Sequence, residues 1–254
     1  MIKKIFFFTL IVCVMLILIL SIKEKILDNP KNILKRLPSK EWSVFTGSKE
    51  LVFLVKYFGI IPIGKAKIRV DGSTRYEGRD VYKLVAEAET SNFASIFYQA
   101  KARIESYMDK NKFYSLRYKE ELFLPDKEVE TKEIIYDQEN LIMTRGNFKR
   151  KILPNTQDPL SAIFYLRIQD FNICKSIVMN TITKKENYEF RASVIGKQDD
   201  IWLLKSKVQR QDRSSYYHGV EFYLFISDDS RRLPLLIKSF TKIGLVTARL
   251  SEVR

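Results

Sequence analysis

The sequence predicts a mainly β protein: a large curled antiparallel sheet, forming a barrel or half-open barrel, with one central helix, preceded by an N-terminal transmembrane or signal helix. Three observations support this. Apolar and polar residues alternate with period two from about residue 50 onward, turn residues interrupt the alternation at intervals of about ten residues, and only one later segment has helical periodicity. About a dozen strands are expected, and sheets of that size curl.

The first element is the apolar run of residues 5–22, which only Thr9 and Ser21 interrupt. As a helix it would be about 27 Å long, close to the hydrocarbon thickness of a bilayer. Residues 1–22 are therefore interpreted as a signal anchor or signal peptide, with the length favouring an anchor. Lys3 and Lys4 favour a cytoplasmic N-terminus. The expected location is the bacterial inner membrane facing the periplasm, or the periplasm itself if the leader is cleaved.

Residues 23–48 are predicted to be a tether, and residues 49–254 a single antiparallel β domain. The first hairpin has an apolar strand at 51–57, a turn containing Gly59, Pro62 and Gly64, and an alternating strand from residue 65. The same alternation predicts further strands over residues 82–88, 100–104, 113–122, 129–136, 141–144, 149–153, 177–183, 188–194, 202–208, 220–226, 233–240 and 243–253.

A single helix is predicted near residues 158–170. Asp158 fits the N-cap and Pro159 the first helical position, and Leu160, Ile163 and Phe164 follow with helical spacing. Such a helix would cover the concave face of a curled sheet. These five residues are therefore candidates for a ligand-binding face.

The corner at residues 227–234 is the second candidate. Arg231 and Arg232 could bind a phosphate or carboxylate in bidentate fashion, or they could pair with Asp228 and Asp229 in an ordinary hairpin turn. The two aspartates with Asp158 could also form a catalytic carboxylate set. The structural interpretation is favoured in both cases because adjacent Asp and Ser residues commonly cap turns.

Composition limits the function classes. The chain has 44 Lys and Arg against 30 Asp and Glu, a net charge of +14, but the basic residues are not in runs, so a general lysine bias explains much of the excess. Export argues against a nucleic-acid partner. Cys13 and Cys174 allow no disulfide within the domain, and His218 is the only histidine, without a nucleophile motif. No enzyme activity, cofactor or metal is expected.

Three segments carry a family resemblance: YFGIIPIGKA at residues 57–66, QDPLSAIFYLR at 157–167 and SDDSRRLP at 227–234. They resemble the domain of unknown function DUF3108, a family of exported or envelope proteins of Gram-negative bacteria, over residues 49–250. The resemblance implies no activity. It implies a shape similar to the half-open barrels of periplasmic lipoprotein carriers.

Two functions remain open at this point. The first is a non-enzymatic binding or carrier protein whose concave face accepts an apolar, lipid-like ligand or a lipoprotein. The alternative is a structural or assembly factor of the envelope that binds an acidic partner or an anionic lipid surface. The membrane is the one partner predicted directly, through the N-terminal segment, and the sequence does not predict an oligomeric state.

Overall fold

The computed structural model describes residues 30, 31, 33, 44, 45, 49–96, 98–182, 186–210, 221–241 and 244–254. From residue 49 onward they form one antiparallel sheet of fourteen strands and two helices, α1 (Asn92–Ser95) and α2 (Pro159–Arg167). The strands are β1 (Glu50–Tyr57), β2 (Ile61–Tyr76), β3 (Arg79–Thr90), β4 (Lys101–Asp109), β5 (Ser115–Phe123), β6 (Glu130–Asp137), β7 (Ile142–Arg145), β8 (Phe148–Lys151), β9 (Ser176–Ile182), β10 (Asn187–Gln198), β11 (Ile201–Arg210), β12 (Glu221–Ser227), β13 (Pro234–Thr241) and β14 (Gly244–Val253).

The first and last strands lie side by side in the middle of the sheet. From β1 the sheet continues strand by strand to β8, and from β14 it continues in the other direction to β9. We call β1–β8 the first wing and β9–β14 the second wing. Since β8 and β9 are the two edges, the sheet is open, and the half-open form among the predicted shapes is the observed one.

The segment between β8 and α2 narrows the gap between the two edges. Gln157 N donates to Asn180 O at 2.8 Å, and Asn180 Nδ2 donates to Pro154 O at 2.8 Å. Asn187 Nδ2 also donates to Lys151 O, at 3.2 Å. The two wings are therefore joined at their outer edges by hydrogen bonds to the end of β8 and to the segment that follows it, without a continuous strand ladder.

Antiparallel connectivity gives the half-barrel two different ends. The first-wing turns at residues 58–60, 91–100 and 124–129 lie at one end, together with the end of β13; we call this the rim end. The short β7–β8 hairpin stops before the rim, because Thr144 pairs with Ile135, which is level with Arg117, Tyr107 and Lys83. The turns at residues 77–78, 110–114, 138–141 and 228–233 lie at the opposite end, which we call the helix end. Strand β1 begins at the helix end.

The main core fills the helix end. Leu160 and Phe164 of α2 pack there against inward side chains from both wings, such as Leu84, Met108 and Leu235, and all five are at most 3% exposed. Burial of this much apolar surface supplies most of the stabilisation of the fold. The interior of the half-barrel is thus occupied by the protein itself at this end.

Part of the predicted tether belongs to this core. Ile33 and Val44 are buried, at 6% and 8% exposed, and Phe45 stacks on Tyr82 with ring centroids 4.1 Å apart. Phe45 also lies 5.9 Å from the ring of Phe164. Residues 23–48 therefore contain side chains that pack with the β domain, because a large aromatic next to an open apolar interior is more stable inside it than in water.

Several local predictions need correction. Pro62 and Gly64 lie within β2, so the first turn covers only residues 58–60, and the helix ends at Arg167 and not near residue 170. Helix α1 was not predicted.

No helix of the described residues is long and apolar enough to span a membrane. The predicted N-terminal segment 1–22 and His218 lie outside the described residues.

Replacement of Phe45 tests the packing of the N-terminal segment. We expect Phe45→Ala to lower the free energy of unfolding by about 3 kcal/mol, since a large aromatic is lost from a packed site. Phe148→Ala is the matched control, because Phe148 is 47% exposed and its loss should change stability by less than about 0.5 kcal/mol. Urea unfolding would measure both. Equal, small effects would mean that the segment does not contribute to the core.

Candidate functional site

The N-terminal end of α2 is held by a buried carboxylate. Asp158 is fully buried, and its Oδ1 accepts hydrogen bonds from the backbone N of Leu160 at 2.7 Å and of Ser161 at 2.9 Å. Its Oδ2 accepts from the hydroxyls of Ser106 and Ser115, both at 2.6 Å. Asp158 is the predicted N-cap, and it also binds the helix to β4 and β5 of the first wing. Four bonds saturate the carboxylate, which leaves it no acceptor position for a substrate.

The C-terminal end of α2 is held by a buried cation. Arg167 is 2% exposed, and its Nε and Nη2 donate to the carbonyl oxygens of Arg232 and Arg231, both at 3.0 Å. Burial lowers the pKa of Arg167 to about 9, while the charge of Asp229 opposes that effect. The guanidinium is therefore protonated at neutral pH. It binds α2 to the β12–β13 corner of the second wing.

The β12–β13 corner neutralises its own charges. Asp229 Oδ2 accepts from Arg231 Nε at 2.9 Å, and Asp228 Oδ1 accepts from Arg232 Nη1 at 2.8 Å and from Trp202 Nε1 at 2.6 Å. Burial raises the pKa of Asp228, but the hydrogen bonds and charges around it outweigh burial and lower that pKa overall. The corner therefore has the geometry of a hairpin turn paired with its own acids.

The structure joins the two candidate clusters in one unit, with an unforeseen residue between them. Asp158 and the corner lie at opposite ends of α2, and Arg167 makes the connection. Pro159 is exposed, Ile163 is partly buried, and Leu160 and Phe164 belong to the core. The side chains predicted to face a ligand are thus mostly covered by protein. Within the described residues, no group of three or more His, Cys, Asp or Glu is placed to hold a metal.

The rim end has the opposite character, because it exposes large apolar side chains. Of the fourteen large apolar side chains that are exposed in the described part of the chain, nine lie on the rim-end turns or the strand ends beside them. They are Phe58, Ile60, Ile61, Phe93, Ile96, Tyr98, Phe123, Val129 and Phe240. Single exposed apolar residues are common, but their concentration at one end makes that end a candidate binding surface.

The 91–100 connection holds two of these side chains in place. Ser91 caps α1 by accepting a hydrogen bond from Ala94 N at 3.2 Å, and its hydroxyl donates to Pro62 O at 2.6 Å. Phe93 is 52% exposed and Ile96 is 77% exposed. The apolar surface is therefore presented by a hydrogen-bonded element attached to β2.

The concave face opens toward the rim end. Along β3, the inward side chains change from Leu84, fully buried, through Ala86, partly buried, to Ala88, exposed. Along β4, Met108 is fully buried and Ala102 is partly exposed. Both strands have a neighbouring strand on each side. The change in exposure along them is therefore caused by what packs against the inner face. The inner wall is covered at the helix end and accessible, with small side chains, at the rim end.

The outer face of the first wing is a ladder of ion pairs. Arg103 contacts Glu87 at 2.9 Å and Glu105 at 3.0 Å, and Arg69 lies 3.6 Å from Glu87. Two clefts of about 450 and 270 Å³ lie on this face near the rim, and both are lined by Lys65, Glu89 and Lys101. Opposite charges alternate here, so the outer face does not present a strong field of one sign.

Replacement of Asp158 tests its role in fixing α2. We expect Asp158→Asn to lower the free energy of unfolding by about 2 kcal/mol, since it removes charge-assisted hydrogen bonds and places an amide donor against the two serine hydroxyls. Asp170→Asn, three residues beyond the helix at an exposed position, is the matched control and should have little effect. Thermal or urea unfolding measures the difference. Equal stability of the two variants would show that the buried carboxylate does not anchor the helix.

A comparison with one solved structure agrees with the fold. A β-barrel-like protein of domain of unknown function DUF1849 from Brucella abortus is similar in structure, with a TM-score of 0.53 and 9% identity over 84% of this chain and 98% of that one. A provisionally assigned lipoprotein from Parabacteroides distasonis gives a TM-score of 0.35 and 8% identity over 85% and 100% of the two chains. No curated protein matches the sequence.

The family assignment rests on the sequence itself. The model of DUF3108, described as a protein of unknown function, matches residues 52–251. This span includes almost the whole sheet, α2 and the β12–β13 corner. The chain therefore belongs to the DUF3108 family.

Proposed function

We propose that this protein is a non-catalytic binding protein of the bacterial envelope, which holds a lipid-like ligand at the rim end of its half-barrel. The observation that carries the proposal is the difference between the two ends of the half-barrel. The helix end is filled by α2 and by Phe45, whereas the rim end combines exposed apolar side chains with an accessible inner wall. The envelope location rests on the apolar segment at residues 5–22.

The chemistry of the rim suits an acyl chain. Burial of each methylene contributes about 0.8 kcal/mol, so a chain of about a dozen carbons gains near 10 kcal/mol before the costs of binding. Small inward residues such as Ala66, Ala88 and Ala102 leave room beside the strands, and the apolar rim shields the chain where it leaves the wall. Such a site needs neither a catalytic group nor a cofactor.

The proposed ligand site at the rim end differs from the site predicted from sequence. That prediction placed the ligand under α2, against Leu160 and Phe164, which pack in the core. The alternative function, binding of an acidic partner by the basic outer surface, receives less support because the ion-pair ladder of the first wing balances its charges. The rim end therefore supports lipid binding better than it supports an assembly role.

A photoreactive fatty acid would test the rim directly on the full chain in mild detergent. We expect the crosslinked peptides to come from the rim-end turns, above all from residues 91–100. Ile96→Glu should reduce crosslinking about tenfold, since burial of one large aliphatic side chain is worth about 1.5–3 kcal/mol. Quantitative mass spectrometry of the labelled peptides gives both the site and the yield.

Ile173→Glu is the matched control. Ile173 is 64% exposed, close to Ile96 in exposure and identical in chemistry, but it lies at the helix end. The control variant should crosslink like the unaltered chain. Equal losses in both variants, or crosslinks concentrated at the helix end, would refute a ligand site at the rim.

A further inference from the structure

The hairpin β7–β8 is unusually basic for the first wing. Arg145, Lys149, Arg150 and Lys151 lie within seven residues, and none of their side chains forms a hydrogen bond or ion pair with another described residue. In β2–β5, by contrast, most charged side chains have a partner of opposite sign. The hairpin is therefore a positive region at the edge of the sheet, whose four cations form no ion pair within the described residues.

Strand alternation divides these four cations between the two faces. Arg150 pairs with Met143, and Arg145 pairs with Phe148, so both arginines lie on the face of Met143. Met143 is fully buried in a cluster with Tyr136, which makes this the concave face. Lys149 and Lys151 point to the outer face. The two arginines are diagonal neighbours, about 7–8 Å apart between Cα atoms.

Glu120, whose carboxylate interacts with the charge of Arg145, is hydrogen-bonded to other residues. Glu120 Oε2 accepts hydrogen bonds from Lys132 Nζ at 3.1 Å and from the Tyr118 hydroxyl at 3.0 Å. Burial raises the pKa of Glu120, but Lys132 and its other neighbours, Arg145 among them, outweigh burial and lower that pKa. Glu120 is thus ionised and paired with Lys132. Arg145 and Arg150 are half-buried residues, and neither forms an ion pair with Glu120.

We propose that Arg145 and Arg150 bind the acidic headgroup of an anionic lipid whose acyl chain occupies the rim end. The inference rests on the proposed function and adds the class of ligand. Both arginines lie on the same concave wall as the buried Met143, and Phe148, 47% exposed and paired with Arg145, adds an apolar side chain to that wall. Paired guanidinium groups match carboxylate and phosphate oxygens in geometry and charge. A headgroup bound there leaves its chain against the inner wall.

The experiment compares a photoreactive fatty acid with a photoreactive fatty alcohol of the same length. The variant Arg145→Gln/Arg150→Gln should reduce crosslinking of the acid about tenfold, to the level of the alcohol, and leave the alcohol unchanged, because hydrogen bonds to charged groups are lost only for the acid. An alkyl phosphate should compete with the acid in the unaltered chain. Inorganic phosphate should not compete.

Lys149→Gln/Lys151→Gln is the matched control, since it removes the same charge from the same hairpin on the outer face. An equal loss in this variant would replace the headgroup site by general surface attraction and overturn the proposal. Competition by inorganic phosphate would overturn the lipid assignment. Equal crosslinking of acid and alcohol in every variant would reject the headgroup site while the lipid-binding function stands, and crosslinking of neither would reject both. Thermal unfolding confirms that each variant is folded.

Discussion

The structure depends on the attachment of one short helix to both halves of an open sheet. Asp158 binds the beginning of α2 to Ser106 and Ser115 in the first wing, and Arg167 binds its end to carbonyl oxygens of the second wing. Each charge lies at the helix terminus of opposite partial charge, where it is stabilised. Because the sheet edges β8 and β9 do not pair, this double attachment fixes how far the wings close around the interior.

The position of the helix also gives the two ends of the half-barrel different inner surfaces. Apolar side chains of α2 and Phe45 cover the inner face at the helix end, so that end contributes stability. The same sheet continues beyond them to the rim, where Ala88 is exposed on the inner face and Ile96 on the turns. A fully packed half-barrel would have no accessible wall, and a half-barrel without the helix would lack a core. The observed arrangement provides both.

Local patterns predicted the strands and the beginning of α2, because alternation and N-capping depend on neighbours in sequence. They did not predict the role of Arg167, whose acceptors lie 64 and 65 residues away, and a charged residue in an apolar helix was the only signal. Pro62 and Gly64 looked like turn residues, but β2 accommodates both. Phe45 looked like part of a tether, since its partners Tyr82 and Phe164 come together only in the folded chain.

The same limit explains why the hairpin β7–β8 attracted no attention in sequence. Its strands have only four residues each, too few for alternation to show which face is inward, and the face follows from the pairing of Met143 with Arg150. Outward lysines on an edge strand are explained by protection against edge-to-edge association. Inward arginines are not, since they are costly beside a buried cluster unless an anion joins them. The outward lysines of this hairpin are therefore explained by solubility, whereas its inward arginines are candidates for contact with a ligand.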